Sequence, residues 1–141
     1  MTKIYTIGFT QKTAEEFFAI LKNSSVKKLI DIRLWPDTQL SGFAKKRDLP
    51  FFLKSLCNIG YQHAKSLAPT EEILKNYKDK IINWQEYEIQ YLELLKDKNF
   101  DISLLDGVCF MCAEPTPEQC HRRLLAEYIQ SKFENVEVIH L

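Results

Sequence analysis

The run Gly107-Val108-Cys109-Phe110-Met111-Cys112 carries no charged side chain and nothing more polar than two thiols. A strand of that composition has no face to turn toward water. It must be covered on both sides, the situation of a parallel sheet with helices on each face. The rest of the chain supplies the matching parts. Lys3 to Ile7 is a β-branched and aromatic run that ends at Gly8. Lys28 to Ile32 reads as a second strand, Tyr61 to Ala64 as a short third, and Val136 to Ile139 as the last. Helical patterns separate them. This alternation predicts an α/β fold: a single-domain, three-layer arrangement over 1–141, with a mainly parallel sheet of about five strands and helices on both faces. The expected strand order is 3-2-1-4-5, with the winding reversing between the first and fourth strands.

Start and stop signals mark the helices. Thr13 is an N-cap with Glu16 as its capping-box partner, followed by Phe17, Phe18, Ile20 and Leu21 on one face. Asp48 and Pro50 open a second helix that Gly60 stops. Thr70 caps a third, with Ile73, Leu74 and Tyr77 at helical spacing. After a break near Asp79 to Asn83, a longer helix carries Trp84, Tyr87, Tyr91, Leu92, Leu94 and Leu95. Thr116, Pro117 and Gln119 predict a cap, a first-turn proline and a capping-box partner for a final helix ending near Lys132. Asp31 to Asp48 lacks any period and is long for a loop in a compact domain, and long loops often carry function.

Composition narrows the function classes. With 141 residues, 45% hydrophobic and a formal net charge of +0, the chain can bury one substantial core. It exerts no overall electrostatic pull on nucleic acid or membrane. Lys45-Lys46-Arg47 is the one dense basic stretch, read either as a solvated loop or as a phosphate contact. No signal peptide and no bilayer-spanning run is read from the sequence, so a cytoplasmic location is expected. There the four cysteines are thiols rather than disulfides.

In parallel α/β sheets, ligands bind beyond the carboxyl ends of the strands, where the winding reverses. Three polar clusters leave the strands at that edge: Gly8-Phe9-Thr10, Asp31-Ile32-Arg33 and Cys112-Ala113-Glu114. Asp31 and Arg33 are two apart and share a strand face. The carboxylate either orients the guanidinium toward an anion or ties down the long loop. Cys112 sits where a strand turns toward a helix, and backbone N–H groups there lower a thiol pKa. Cys120 is expected one turn into that helix. His121 and Arg122 add positive charge, Arg122 gripping an anion, and Glu114 is a candidate general acid or base. Against this, Cys120, Leu124 and Tyr128 continue an apolar stripe, and buried cysteines commonly only pack.

Cys109, Cys112, Cys120 and His121 superficially offer a Cys3His zinc set. Residues 109 and 112 are three apart in a strand, so their side chains point to opposite faces. No metal and no other cofactor is therefore expected. His63 and His140 are isolated, and Trp35, Tyr61 and Phe43 either stack a ring or fill core. No dinucleotide fingerprint, phosphate-binding loop, Cys-x5-Arg loop or nucleophile elbow is present.

Several motifs together resemble one family. They are Thr6-Ile7-Gly8, Asp31-Ile32-Arg33 with Pro36, Ser41-Gly42-Phe43, Leu67-Ala68-Pro69-Thr70, and Cys112-Ala113-Glu114 followed by Cys120-His121-Arg122. The chain resembles the proteins of domain of unknown function 488. Many relatives carry a Leu-Gly-Gly stretch where this chain has Leu67-Ala68-Pro69. The resemblance implies a compact α/β fold with clustered polar motif residues, and no established activity.

Two functions stand on these residues. One is a thiol-dependent enzyme acting on a phosphorylated or nucleotide-like small molecule or a nucleic-acid end. In it Cys112, Glu114 and Cys120 are catalytic, and Gly8, Asp31, Arg33, His121 and Arg122 serve the substrate. The other is a non-catalytic nucleotide or nucleic-acid binding module using the same arginines and Lys45-Lys46-Arg47. A zinc-stabilised adaptor is a third reading.

Overall fold

A computed structural model gives the architecture and describes residues 1–37, 41–114 and 116–141. Part of the Asp31–Asp48 loop (38–40) and residue 115 lie outside the described residues. Five strands form one all-parallel sheet: β1 (Thr2–Gly8), β2 (Lys28–Asp31), β3 (Gly60–His63), β4 (Val108–Cys112) and β5 (Val136–His140). Five α-helices accompany them: α1 (Ala14–Lys22), α2 (Leu49–Phe52), α3 (Glu71–Lys78), α4 (Trp84–Leu95) and α5 (His121–Lys132). No helix among the described residues is long and apolar enough to cross a membrane.

The sheet order is β3-β2-β4-β1-β5. This corrects the expected 3-2-1-4-5. β4, not β1, occupies the centre, and all five of its residues are buried. Burial alternates along the edge strand β3 and is partial along β5. The β1-to-β2 connection therefore steps over one strand. That step adds only about 4.8 Å, which a helical crossover absorbs without leaving a mark in the sequence.

Each face of the sheet has its own core. Tyr5, Ile7, Leu29, Cys109 and Met111 meet α1 and the α2 segment through Phe17, Phe18, Leu21, Leu49 and Leu53. Ile4, Ile30, Val108, Phe110 and Cys112 meet α3, α4 and α5 on the other face. The chain winds from β1 through β2 to β3 along the first face. It then returns to the centre as β4 and winds out to β5 along the second. The reversal falls at β4, whose exit crosses to the face opposite those of β1 and β2.

Thr13 and Thr70 accept N-cap bonds as their spacing predicts, and Asn83 closes a full capping box with Glu86. Two boundaries differ. The α2 segment widens into a π-turn at Leu53–Cys57 and ends at Asn58, which is left-handed, so Gly60 begins β3 instead of stopping a helix. The last helix starts at His121, with Cys120 at its N-cap position and not one turn inside. Thr116 does not cap it, because the helix begins at His121, beyond the reach of a Thr116 cap.

Gly8 explains how the segment after β4 closes over β1. A Cβ at this position would overlap the Glu114 carbonyl oxygen and stand 2.8 Å from Arg122 Nη1. A backbone carbonyl cannot rotate away as a side chain can. Gly8→Ala is expected to lose about 1–3 kcal/mol through overpacking. Gly42→Ala, with open space around its Cβ, should change stability by no more than about 0.5 kcal/mol. Urea unfolding of the two variants checks the contrast.

Candidate functional site

The end of β4 is fastened to both neighbours. Ile32 N–H donates to the Met111 carbonyl at 3.1 Å, and Thr10 N–H donates to the Ala113 carbonyl at 3.0 Å. Gly8 pairs in register with Cys112. The three polar exits of the sheet are thus held side by side, and Cys112 lies between the other two.

Cys112 Sγ is 3.4 Å from His121 Nδ1. His121 Nε2 is 2.8 Å from the Ile32 carbonyl oxygen. A carbonyl only accepts, so Nε2 carries the proton of that bond and Nδ1 is left to face the sulfur. The ring is further held edge-on against Tyr91, with centroids 5.4 Å apart. This is a thiol, a base and a group that orients the base, the general arrangement of an activated nucleophile.

Electrostatics separate the two cysteines. The Cys112 thiol is pulled below its ordinary pKa, first by a hydrogen bond from the Cys120 thiol. Burial opposes this, while the Ala113 and Glu114 N–H groups and the positive charge of Arg122 reinforce it. Cys120 is pushed well above its ordinary value by burial and by its bond to Cys112. Cys109, on the other face, is pushed up by burial, and burial likewise raises Cys57. One sulfur of the four favours its anion.

A cavity of about 180 Å³ opens in front of this sulfur. Arg33, Cys112, Glu114, Cys120 and His121 contribute to its wall, and Trp35, Tyr77, Trp84 and Tyr87 make it aromatic. Trp84 and Tyr87 stack at 4.9 Å, and Tyr77 leans on Tyr87 at 5.1 Å. Drug-sized ligands occupy roughly 300–1,000 Å³. The smaller volume suits one ring or a short group, with any remainder outside.

Asp31 is fully buried and accepts from Arg33 Nε at 2.9 Å, Arg33 Nη2 at 2.7 Å, the Arg33 backbone N–H at 3.2 Å and Tyr61 hydroxyl at 2.7 Å. The Arg33 guanidinium also lies 5.1 Å over the Phe9 ring. Its Nη1 is buried with no hydrogen-bond partner among the described residues.

Gly8 and Arg122, expected at the substrate, do not line the cavity. Gly8 makes room for the Glu114 carbonyl. Arg122 is fully buried behind the loop and donates to that same carbonyl at 2.6 Å. Glu114 is exposed, and its backbone carbonyl accepts from Arg122. The group placed to exchange a proton with the sulfur is His121. His63 Nε2 meets the Arg33 carbonyl at 2.8 Å, and His140 Nδ1 meets Thr6 Oγ1 at 2.6 Å. Arg47 bonds Asp37 and Asp48. Phe43 packs with Phe17 and Phe18. The aromatic wall on α3 and α4 escapes a sequence reading, because Tyr77, Trp84 and Tyr87 have the spacing of core residues.

These features define a class: a doubly wound parallel α/β protein with a cysteine–histidine pair at the reversal of winding, facing an aromatic cavity. Within that class the chain belongs to the family described as Domain of unknown function DUF488, whose model matches residues 13–129. No curated protein and no solved structure matches it.

Two outcomes follow from this geometry. In reduced, chelator-treated protein, iodoacetamide labelling of Cys112 should inflect at a pH below the ~8.5 of free cysteine. Cys57 should inflect above it and Cys109 should stay silent. Mass spectrometry resolves the sites, and a shared ordinary inflection contradicts the assignment. Asp31→Ala should cost about 3–5 kcal/mol in urea unfolding, because it strands Arg33 as an unpaired buried charge.

Proposed function

We propose that this protein is a thiol-dependent enzyme acting on a small, planar, anionic substrate of nucleotide-like kind. The observation that carries this reading is Cys112 Sγ against His121 Nδ1, with the ring anchored on the Ile32 carbonyl, at the wall of an aromatic cavity. Cys112 attacks an electrophilic centre of the substrate. The sulfur–substrate bond forms while the bond to the leaving group breaks. His121 Nδ1 takes the thiol proton and returns it to the leaving group. Water then cleaves the covalent intermediate, with His121 removing its proton and restoring the thiol.

The ring of the substrate lies against Trp84, Tyr87 and Trp35, where aromatic stacking contributes about 1–3 kcal/mol per base. The free Nη1 of Arg33 holds the anionic group, while Asp31 fixes the guanidinium from behind. Cys120, beside the Cys112 sulfur, supports the negative charge that develops there as His121 takes the proton. A working thiolate and four free thiols suit a reducing compartment, so the reading includes a cytoplasmic location.

The test is protection of Cys112 from iodoacetamide at neutral pH in chelator-treated protein. Adenosine and uridine 5′-monophosphates should slow labelling about tenfold near saturation, and the matching nucleosides should do so less. Arg33→Lys should erase the difference. His121→Gln keeps an amide for the Ile32 carbonyl but loses Nδ1, and should slow labelling about 10²-fold or more, the range of general acid–base effects. Protection indifferent to the phosphate removes the substrate assignment. Labelling unchanged in His121→Gln removes the enzyme reading and leaves at most a binding module.

A further inference from the structure

Cys112, Cys120 and His121 each offer one donor atom, and the three atoms lie within 4.8 Å of one another. All three residues are buried and all three line the cavity. A thiolate about 2.3 Å from a tetrahedral zinc ion and an imidazole nitrogen about 2.0–2.1 Å from it stand about 3.5 Å apart. The Cys112 Sγ to His121 Nδ1 separation is 3.4 Å. One edge of the coordination polyhedron is therefore present at its working length.

The second shell is present too. Metal-ligating histidines almost always donate their other ring N–H to a carboxylate, carbonyl or water, which fixes tautomer and ring plane. His121 Nε2 does this at the Ile32 carbonyl. The donor set is soft: two sulfurs and an imidazole select zinc or a similar thiophilic ion over magnesium or calcium. Two thiolates balance a divalent charge, so the loaded site is neutral overall, as burial requires.

We propose that Cys112, Cys120 and His121 form a binding site for zinc, with a fourth, exchangeable position open to the aromatic cavity. Cys109 takes no part, because it packs in the core on the opposite face of β4. The expected absence of metal rested on a four-ligand set that needed Cys109, and three ligands with an open position do not. Two sulfur–zinc bonds and one nitrogen–zinc bond form, both thiol protons leave to solvent, and no electron moves. The ion uses the same sulfur lone pair that an electrophile needs, so zinc and covalent chemistry at Cys112 exclude one another. The proposal shares Cys112 with the thiol-enzyme reading and does not depend on turnover.

The test is cobalt(II) titration of the reduced, chelator-treated full chain. One equivalent should give thiolate-to-cobalt charge-transfer absorption in the near ultraviolet with tetrahedral visible bands, and zinc should displace them. Cys120→Ser should lose about half of the charge-transfer intensity, and Cys57→Ser none. Zinc should also protect Cys112 from iodoacetamide in the unsubstituted chain, a readout that needs no variant to fold. Absence of the absorption, or its loss in Cys57→Ser alone, overturns the site. Fast labelling of metal-free Cys112 without any cobalt spectrum sinks the metal and keeps the enzyme. A cobalt spectrum on a chain whose Cys112 labels slowly does the reverse.

Discussion

The confinement of β4 between β2 and β1 is the constraint on which the rest of the molecule depends. Its side chains face two separate cores, Cys109 and Met111 into one and Val108, Phe110 and Cys112 into the other. Such a strand cannot slip by one residue without exchanging the two sets, so its register is strongly fixed. The hydrogen bonds at Met111 and Ala113 carry that fixity to the end of the strand. Cys112 is the last buried position before the chain turns, and it turns toward the face opposite the exits of its neighbours. A cleft opens there because consecutive connections diverge. Cys112 is placed by the central, fully buried strand of the sheet, while the cleft wall comes in part from helices packed on one side.

Buried charge is the second theme, and its two instances differ. Asp31 and Arg33 form a paired set, with Tyr61 and the Ala44 carbonyl adding bonds. Arg122 has no carboxylate partner among the described residues: one nitrogen meets the Glu114 carbonyl, and Nε and Nη2 have no hydrogen-bond partner there. A fully buried guanidinium is costly to hold, and such groups persist where something compensates them. Burial lowers the Lys12 and His140 pKa values and the Arg122 charge adds to it; at Cys112 that charge reinforces the pull of the Cys120 thiol and the Ala113 amide, while the Arg122 hydrogen bond holds the Glu114 carbonyl. Arg122 thus acts on the sulfur through field and loop geometry rather than through a ligand.

Much of this was legible from residue order. The apolar run of β4 announced a sheet covered on both faces, and Thr13 and Thr70 announced helix starts that the structure keeps. Asp31 and Arg33, two apart, read as sharing a face, and their carboxylate–guanidinium bonds are present. The unread parts share a cause: they depend on distances that sequence spacing does not encode. Strand order turned on a crossover passing one strand further. Cys120 reads as helical because it continues the stripe of Leu124 and Tyr128, yet the helix begins one residue later. The closeness of Cys112 and His121, nine residues apart, exists only because the intervening loop folds back over Gly8. Tyr77, Trp84 and Tyr87 have the periodicity of core residues, pack with the core of that face, and still contribute to the cavity wall.

The asymmetry between Cys112 and Cys120 unites the two chemistries proposed for this site. Two thiolates this close in a buried setting repel, so without a cation one sulfur holds its proton and donates it to the other. The surroundings set the order: Cys112 is pulled toward ionisation and Cys120 away from it. A divalent ion removes the reason for the division, because its charge stabilises both anions at once. The two proposals thus set the same three side chains in two arrangements, one with a proton between the sulfurs and one with a metal ion among the three donors. His121 is common to both, since the Ile32 carbonyl fixes its tautomer and leaves Nδ1 pointing at the sulfur whichever partner the sulfur holds.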